Sequence, residues 1–366
     1  MEVRKPSDKD SRIPPDQISP SKTRKPLPSH FTNPEKKLKS KKLKFPASQT
    51  TTTVNPNMEE MKGSLSKPVA VIACIAMTLF YVATLYAPTL ILRLPPPQSF
   101  NIFMTRRFIC AAVSSVASVI ICALLLPIRS GETSYLFGVY GIRSDHIWQA
   151  VFFPLFLTSL TYAGSLMLLA SKWMEHRNQD RRPLLCCIKS TLLRFPSQMS
   201  SVASDVLFWR NLVVAPLTEE LVFRACMIPL LLCGGFKAYD VIFLCPTFFS
   251  LAHLNHMAEI YSHHNYSLRE ASMIVGLQLG YTLVFGSYAS FLFIRTGTLA
   301  SPLFAHVFCN YMGLPVLFVQ RKGLVSVAFV AGTLYFAWLL FPLTRPDLYN
   351  ERTNSCRCWQ GYCLWN

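Results

Sequence analysis

The chain has 366 residues, of which 51% are hydrophobic and only 15% charged. Soluble domains carry about 25% charged residues, so this composition excludes an ordinary water-soluble globule and points to a membrane protein. The formal charge of +17 suggests nucleic acid, yet 15 Lys and Arg against 7 Asp and Glu in residues 1–67 place +8 of it in one tail. No RNA- or DNA-binding motif accompanies that tail, so no nucleic-acid partner is expected and anionic lipid is the simpler one.

Residues 1–65 are rich in Pro, Ser, Thr and Lys and lack an apolar period, the composition of a disordered segment. The first apolar run starts at Pro68, too late for a cleaved signal peptide. A spanning helix needs about 20 mostly apolar residues. Such runs cover 68–92, 108–127, 147–171, 239–257, 272–295, 299–319 and 323–341. The segment 202–233 is also long enough, but Asp205, Arg210, Asn211, Glu219 and Glu220 interrupt it, which predicts a helix lining an interior. The expected fold is all-α: a polytopic bundle of about eight transmembrane helices over residues 66–345, with a buried polar cavity and a short tail over 346–366.

The basic loop 172–200 and the basic tail would both be cytosolic by the positive-inside rule. Three predicted spans lie between them, an odd number. Either one assignment fails or one segment turns back. Of the 12 cysteines, most sit in apolar runs and read as small hydrophobes. Cys186-Cys187, beside Arg181-Arg182, are candidates for palmitoylation. Asn265-Tyr266-Ser267 is a glycosylation sequon in a polar loop.

The stretch VVAPLTEELVFRACMIP, residues 213–229, carries Glu219, Glu220 and Arg224 inside an apolar run. A charge at the bilayer centre costs about 3 kcal/mol or more, so such residues face a cavity or a partner. Glu220 and Arg224 are four apart and can pair on one helix face. Glu219 is offset by about 100° and stays available. FFSLAHLNH sets Phe249 and His253 four apart, and LFAHVFCNY does the same for His306 and Asn310. A carboxylate, an imidazole and a His/Asn donor pair suit hydrolysis without a covalent intermediate. The carboxylate deprotonates a water, the imidazole shares the proton work, and the donors hold the oxyanion.

Two other classes explain the same residues: a non-catalytic scaffold clamped by interhelical polar pairs, and a transporter with a proton relay. Glu219, His253 and His306 are also chemically suited to zinc. There is no HExxH, however, and His253 and His256 are three apart with no Glu between them. Neither metal nor cofactor is expected. No GxSxG marks a serine nucleophile, and Cys226 and Cys309 sit in apolar surroundings that favour the inert thiol.

The run APLTEELVFRACMIP with its Glu-Glu-x-x-x-Arg, then Phe249-x-x-x-His253 and His306-x-x-x-Asn310, resembles the type II CAAX prenyl proteases, glutamate-dependent intramembrane endopeptidases. The similarity continues through GYTLVFGSYASFLFIRTG and HVFCNYMG and covers residues 200–320. The resemblance implies an eight-helix enzyme of the endoplasmic reticulum membrane, with its active site open to the cytosol. It implies removal of the last three residues from proteins whose C-a-a-X cysteine is already prenylated, small GTPases among them. By motif position, Glu219 is the water-activating carboxylate and His253 its partner. His306 and Asn310 form the oxyanion site, with Glu220, Arg224 and Phe249 in support. Nearby aromatics (Phe208, Trp209, Phe248, Tyr311) either line an isoprenoid path or simply pack.

Overall fold

The computed structural model describes residues 65–126, 133–179, 204–254, 267–315 and 323–349. The tail, Cys186-Cys187, the Asn265 sequon and the segment after 349 lie outside these ranges. Among the described residues every regular element is helical. In chain order they are α1 (Lys67–Leu90), α2 (Phe100–Leu125), the short α3 (Thr133–Val139), α4 (Ile147–Thr161), α5 (Ala163–Gln179), α6 (206–233), α7 (Ala238–Ala252), α8 (Leu268–Thr296), α9 (Ala300–Met312) and α10 (Gly323–Leu343), closed by a single 3₁₀ turn at Pro346–Leu348.

Local chemistry sets several ends. Ser99 accepts from Ile102 N at the start of α2. Ser267 and Glu270 form a capping box at the start of α8. Gly297, at φ +64°, ends α8 in the left-handed conformation that glycine adopts without strain. Four helices, α1, α2, α8 and α10, are long and apolar enough to cross a membrane. The chain is thus a multi-pass, all-helical membrane protein, as the composition predicts.

The individual spans differ from the hydropathy reading in informative ways. The apolar run 147–171 is not one straight span: it breaks at Tyr162, and α4 and α5 meet at a bend of 80°. Tyr162 locks the corner. Its hydroxyl donates to the Gly313 carbonyl at 2.7 Å and meets the Tyr281 hydroxyl at 2.9 Å. α10 lies close against this corner, since a Cβ on Gly332 would stand 2.2 Å from the Leu160 carbonyl oxygen. α7 and α9, expected as full spans, run 15 and 13 residues. α2 begins at Phe100 rather than 108, about two turns earlier, in the segment that contains Arg106 and Arg107.

α6 is the centre of the bundle. Its second half packs against α1, α2 and α7, and its first half against α9. Met227, Ile228, Leu230 and Leu231 are fully buried. It is also irregular: two π-helical stretches, Arg210–Val214 and Leu221–Cys226, flank the α-helical turn Ala215–Glu220. Such wide turns recur at functional sites because they re-aim side chains without ending the helix.

Candidate active site

The turn between the two π stretches carries Glu219 and Glu220, and they point to different surroundings. Glu220 is sealed, with 0% of its side chain exposed. Its Oε1 accepts from Arg224 Nη1 at 3.0 Å, and Arg224 is likewise at 0%. The same oxygen lies 2.7 Å from His306 Nδ1 on α9. A carboxylate oxygen accepts there, so that ring nitrogen carries the hydrogen. The Arg224 guanidinium also lies over the Phe249 ring at 4.4 Å, a favourable contact for a desolvated cation. The absence of a side chain at Gly286 makes room for this stack: a Cβ there would come within 3.3 Å of Arg224 Nη2 and 2.9 Å of Pro246 Cβ.

Glu219 faces the other way. It retains 18% exposure, and its Oε2 lies 3.7 Å from His306 Nε2. His306 thus stands between the two carboxylates, one on each ring nitrogen. Glu219 lines a cavity of about 320 Å³. His253 shares that wall. It is the capping residue of α7 rather than an interior position, and its Nδ1 meets the Phe249 carbonyl at 2.9 Å. A carbonyl only accepts, so in the neutral ring the lone pair is on Nε2. Phe249 therefore serves two masters: its ring carries Arg224 and its carbonyl orients His253. The Phe249 ring sits edge-on to His253 at 4.8 Å and to His306 at 6.2 Å between centroids.

The structure brings together Glu219, Glu220, Arg224, Phe249, His253 and His306. Asn310 stands apart. It shares the α6-facing side of α9 with His306, but it is exposed and donates through Nδ2 to the Asn211 carbonyl at 2.8 Å. Of the aromatics singled out in the sequence, only Phe249 lines the cavity. Phe208 and Trp209 pack on each other at 6.3 Å, and Tyr311 is 70% exposed.

Three cavity residues escaped the sequence reading. Tyr81 on α1 shares a 3.0 Å hydrogen bond with Thr218, next to Glu219. Arg107 and Gln278 enter from α2 and α8. The signal for Arg107 was the pair Arg106-Arg107 abutting an apolar run, which reads as a span boundary. Arg210 and Thr218 of α6 also line the wall, and the rest of it is aliphatic or aromatic, including Val82, Leu85, Met104, Phe108 and Ala111. Among the described residues no group of three or more His, Cys, Asp or Glu is arranged to hold a metal ion.

Fold and site together define a multi-pass membrane protein that gathers carboxylates and imidazoles around a broken central helix. Glu219 stands there beside a cavity that is part apolar and part charged. The family model for type II CAAX prenyl endopeptidase Rce1-like proteins matches residues 202–312, the stretch from α6 to α9 that carries every predicted site residue. A protein of Arabidopsis thaliana called CAAX prenyl protease 2 is 60% identical over 307 residues, 83% of this chain and 98% of that protein. The Homo sapiens protein of the same name is 35% identical over 77% of this chain and 83% of its own length. The Saccharomyces cerevisiae one is 31% identical over 29% of this chain. The chain belongs to the type II CAAX prenyl endopeptidase, Rce1-like family. No solved structure matches it.

Proposed function

We propose that the chain is the endopeptidase that removes the aaX tripeptide from prenylated CAAX proteins, using a water activated by Glu219. The single observation that carries this reading is the split of the acidic pair. Glu220 is buried and gives its Oε1 to both Arg224 and His306, whereas Glu219 shares a cavity wall with His253. The names of the relatives, each a CAAX prenyl protease, support the same chemistry and give no support to a scaffold or a proton-relay transporter.

In this reading a water lies between the Glu219 carboxylate and His253 Nε2. Glu219 takes one proton, and the oxygen attacks the carbonyl carbon of the prenylated cysteine. The oxyanion is held by donors from α9: His306 Nε2 lies 3.7 Å from Glu219 Oε2, and because Nδ1–H is already given to Glu220, the ring donates there only when Nε2 carries a second proton. Asn310 is the second donor that the family motif supplies; it would have to leave the Asn211 carbonyl to act. Collapse of the intermediate breaks the C–N bond, and the proton held by the Glu219/His253 pair goes to the departing amine. The aliphatic part of the wall, from Val82 and Leu85 on α1 and Met104 and Phe108 on α2, suits an isoprenoid chain that stays in lipid.

Substrates in this reading include small GTPases, and the membrane is that of the endoplasmic reticulum. If the bent pair α4–α5 turns back at its 80° corner, only α1 and α2 cross between the basic tail and the basic loop, and these two basic segments share the cytosolic side as the positive-inside rule asks.

The test is release of the tripeptide from a farnesylated CAAX peptide by purified protein. Glu219→Gln and His253→Ala are each expected to lower the rate by about 10²–10⁴-fold, the range for loss of a general acid–base group, with the fold retained. Full turnover by a well-folded Glu219→Gln protein would overturn the assignment.

A further inference from the structure

The proteolytic reading leaves two cavity residues without work. Arg107 on α2 and Arg210 on α6 line the same cavity as Glu219. Arg107 is half-buried there and Arg210 exposed, so both can meet an anionic group that enters the cavity. The lining contains one carboxylate, Glu219, against these two guanidinium groups, so it carries a surplus positive charge. The neighbouring Arg106 makes the contrast plain. It does not line the cavity and donates instead to the Pro95 carbonyl at 2.8 Å. Both cavity arginines are braced. The Arg107 guanidinium lies over the Phe103 ring at 5.2 Å. Arg210 Nε donates to Asn211 Oδ1 at 2.8 Å, and the Asn211 carbonyl in turn accepts from Asn310 on α9.

Resting on the proteolytic reading, we infer that Arg107 and Arg210 bind the free C-terminal carboxylate of the substrate and so set the cut three residues from the chain end. Lengths agree. Arg210 lies nine residues before Glu219 on α6, at most about 13 Å along the axis at 1.5 Å per residue, and somewhat less because Arg210–Val214 is π-helical. Both side chains lean towards the N-terminus of the helix, so their head groups keep roughly that separation. An extended tripeptide spans about 10 Å from the scissile carbonyl to its carboxylate, so about 3 Å, one hydrogen-bond distance, remains between that carboxylate and the arginine head group. Arginine is the suitable cation, because its planar fork takes a carboxylate through two parallel hydrogen bonds. The arrangement works as a ruler: the prenyl chain fixes one end of the substrate in lipid, the arginines fix the other, and Glu219 stands between them. A carboxylate moved outward by an added residue would overshoot the arginines.

The experiment compares two farnesylated CAAX peptides that differ only in their last group, a free acid or a primary amide, in nonionic detergent free of phospholipid so that no lipid headgroup competes. The wild-type protein is expected to favour the acid by about 10–100-fold in kcat/KM, the range for a charge-assisted hydrogen bond. Arg210→Gln and Arg107→Gln should each lower that ratio, mainly through KM, and the double variant should bring it close to one. Arg210→Lys should recover part of it. A wild-type ratio near one would overturn the inference. So would variants that slow both peptides by the same factor and keep the ratio, which is the signature of a purely structural role. Wild-type protein that releases tripeptide from neither peptide would instead bring down the proteolytic reading itself.

Discussion

Two sides of one helix turn use charge in opposite ways. On the sealed side, Glu220 Oε1 joins Arg224 and His306 at 3.0 and 2.7 Å with almost no exposure. On the open side, Glu219 is held only at 3.7 Å by His306 and faces the cavity with His253. One residue of offset, about 100° of rotation, turns an identical carboxylate from a structural clamp into a group available for chemistry. His306 couples the sides, so the clamp also positions Glu219.

Removing the clamp should therefore hurt folding, and removing the acid should hurt only turnover. Arg224→Leu leaves Glu220 buried with its main partner gone, which typically costs about 3–5 kcal/mol. The expected result is a large drop in the yield of folded protein and in Tm, whereas Glu219→Gln keeps a Tm close to wild type. The double variant Glu220→Leu, Arg224→Leu should recover much of the lost stability, because no unpaired charge remains, but not the activity. Equal Tm losses for Arg224→Leu and Glu219→Gln would erase the distinction between the two sides.

Gly286→Ala probes the link between them. The added methyl meets Pro246 Cβ at 2.9 Å and Phe249 Cδ1 at 3.4 Å, and a proline ring cannot swing away. Overpacking of this kind costs about 1–3 kcal/mol. Because the Phe249 carbonyl orients His253, kcat should fall along with Tm. A stability loss with an unchanged kcat would show that His253 does not depend on that carbonyl. Smaller still is Tyr81→Phe on the open side. It removes one hydrogen bond to Thr218, worth about 0.5–1.5 kcal/mol, while Thr218 keeps its bond to the Val214 carbonyl at 2.8 Å. The expected outcome is a modest Tm shift and less than a tenfold change in kcat/KM.

Much of this was legible in the sequence because charge inside an apolar run is expensive and must be explained. Glu219, Glu220, Arg224, His253 and His306 stood out for that reason, and the structure gathers them. The pairing of Glu220 with Arg224 followed from their spacing alone. Other features leave no mark in residue type. The π turns around Ala215–Glu220 are a matter of backbone register. The 80° corner at Tyr162 interrupts an unbroken apolar run, and its cause is a tertiary hydrogen bond to Gly313. Asn310 reads as a cavity donor by motif, yet its partner is a backbone carbonyl on a distant helix, which no pattern of side chains announces. Arg107 was hidden because hydropathy starts the span one residue after it.

The smallest effect tests what burial contributes, by taking the same acid–arginine chemistry out of the bilayer. Arg143 and Asp145, in the turn before α4, make two hydrogen bonds, at 3.0 and 2.5 Å, as close as or closer than the sealed pair. Their side chains are 19% and 41% exposed, and exposed pairs contribute only about 0–1 kcal/mol. The hydrogen bonds from Arg143 hold the Asp145 carboxyl below its usual range. A carboxyl with a depressed folded-state pKa contributes stability above its unfolded value, about 3.9, and that contribution fades as the pH falls through the lower folded value. Asp145→Asn should thus lower Tm slightly and evenly from pH 7 down to about pH 5, with the difference from wild type shrinking below pH 4. The comparison to make is with Arg224→Leu at pH 7. If the exposed pair cost as much to break as the sealed one, contact distance rather than exclusion of water would govern these ion pairs, and the account of why Glu220 clamps while Glu219 reacts would lose its physical basis.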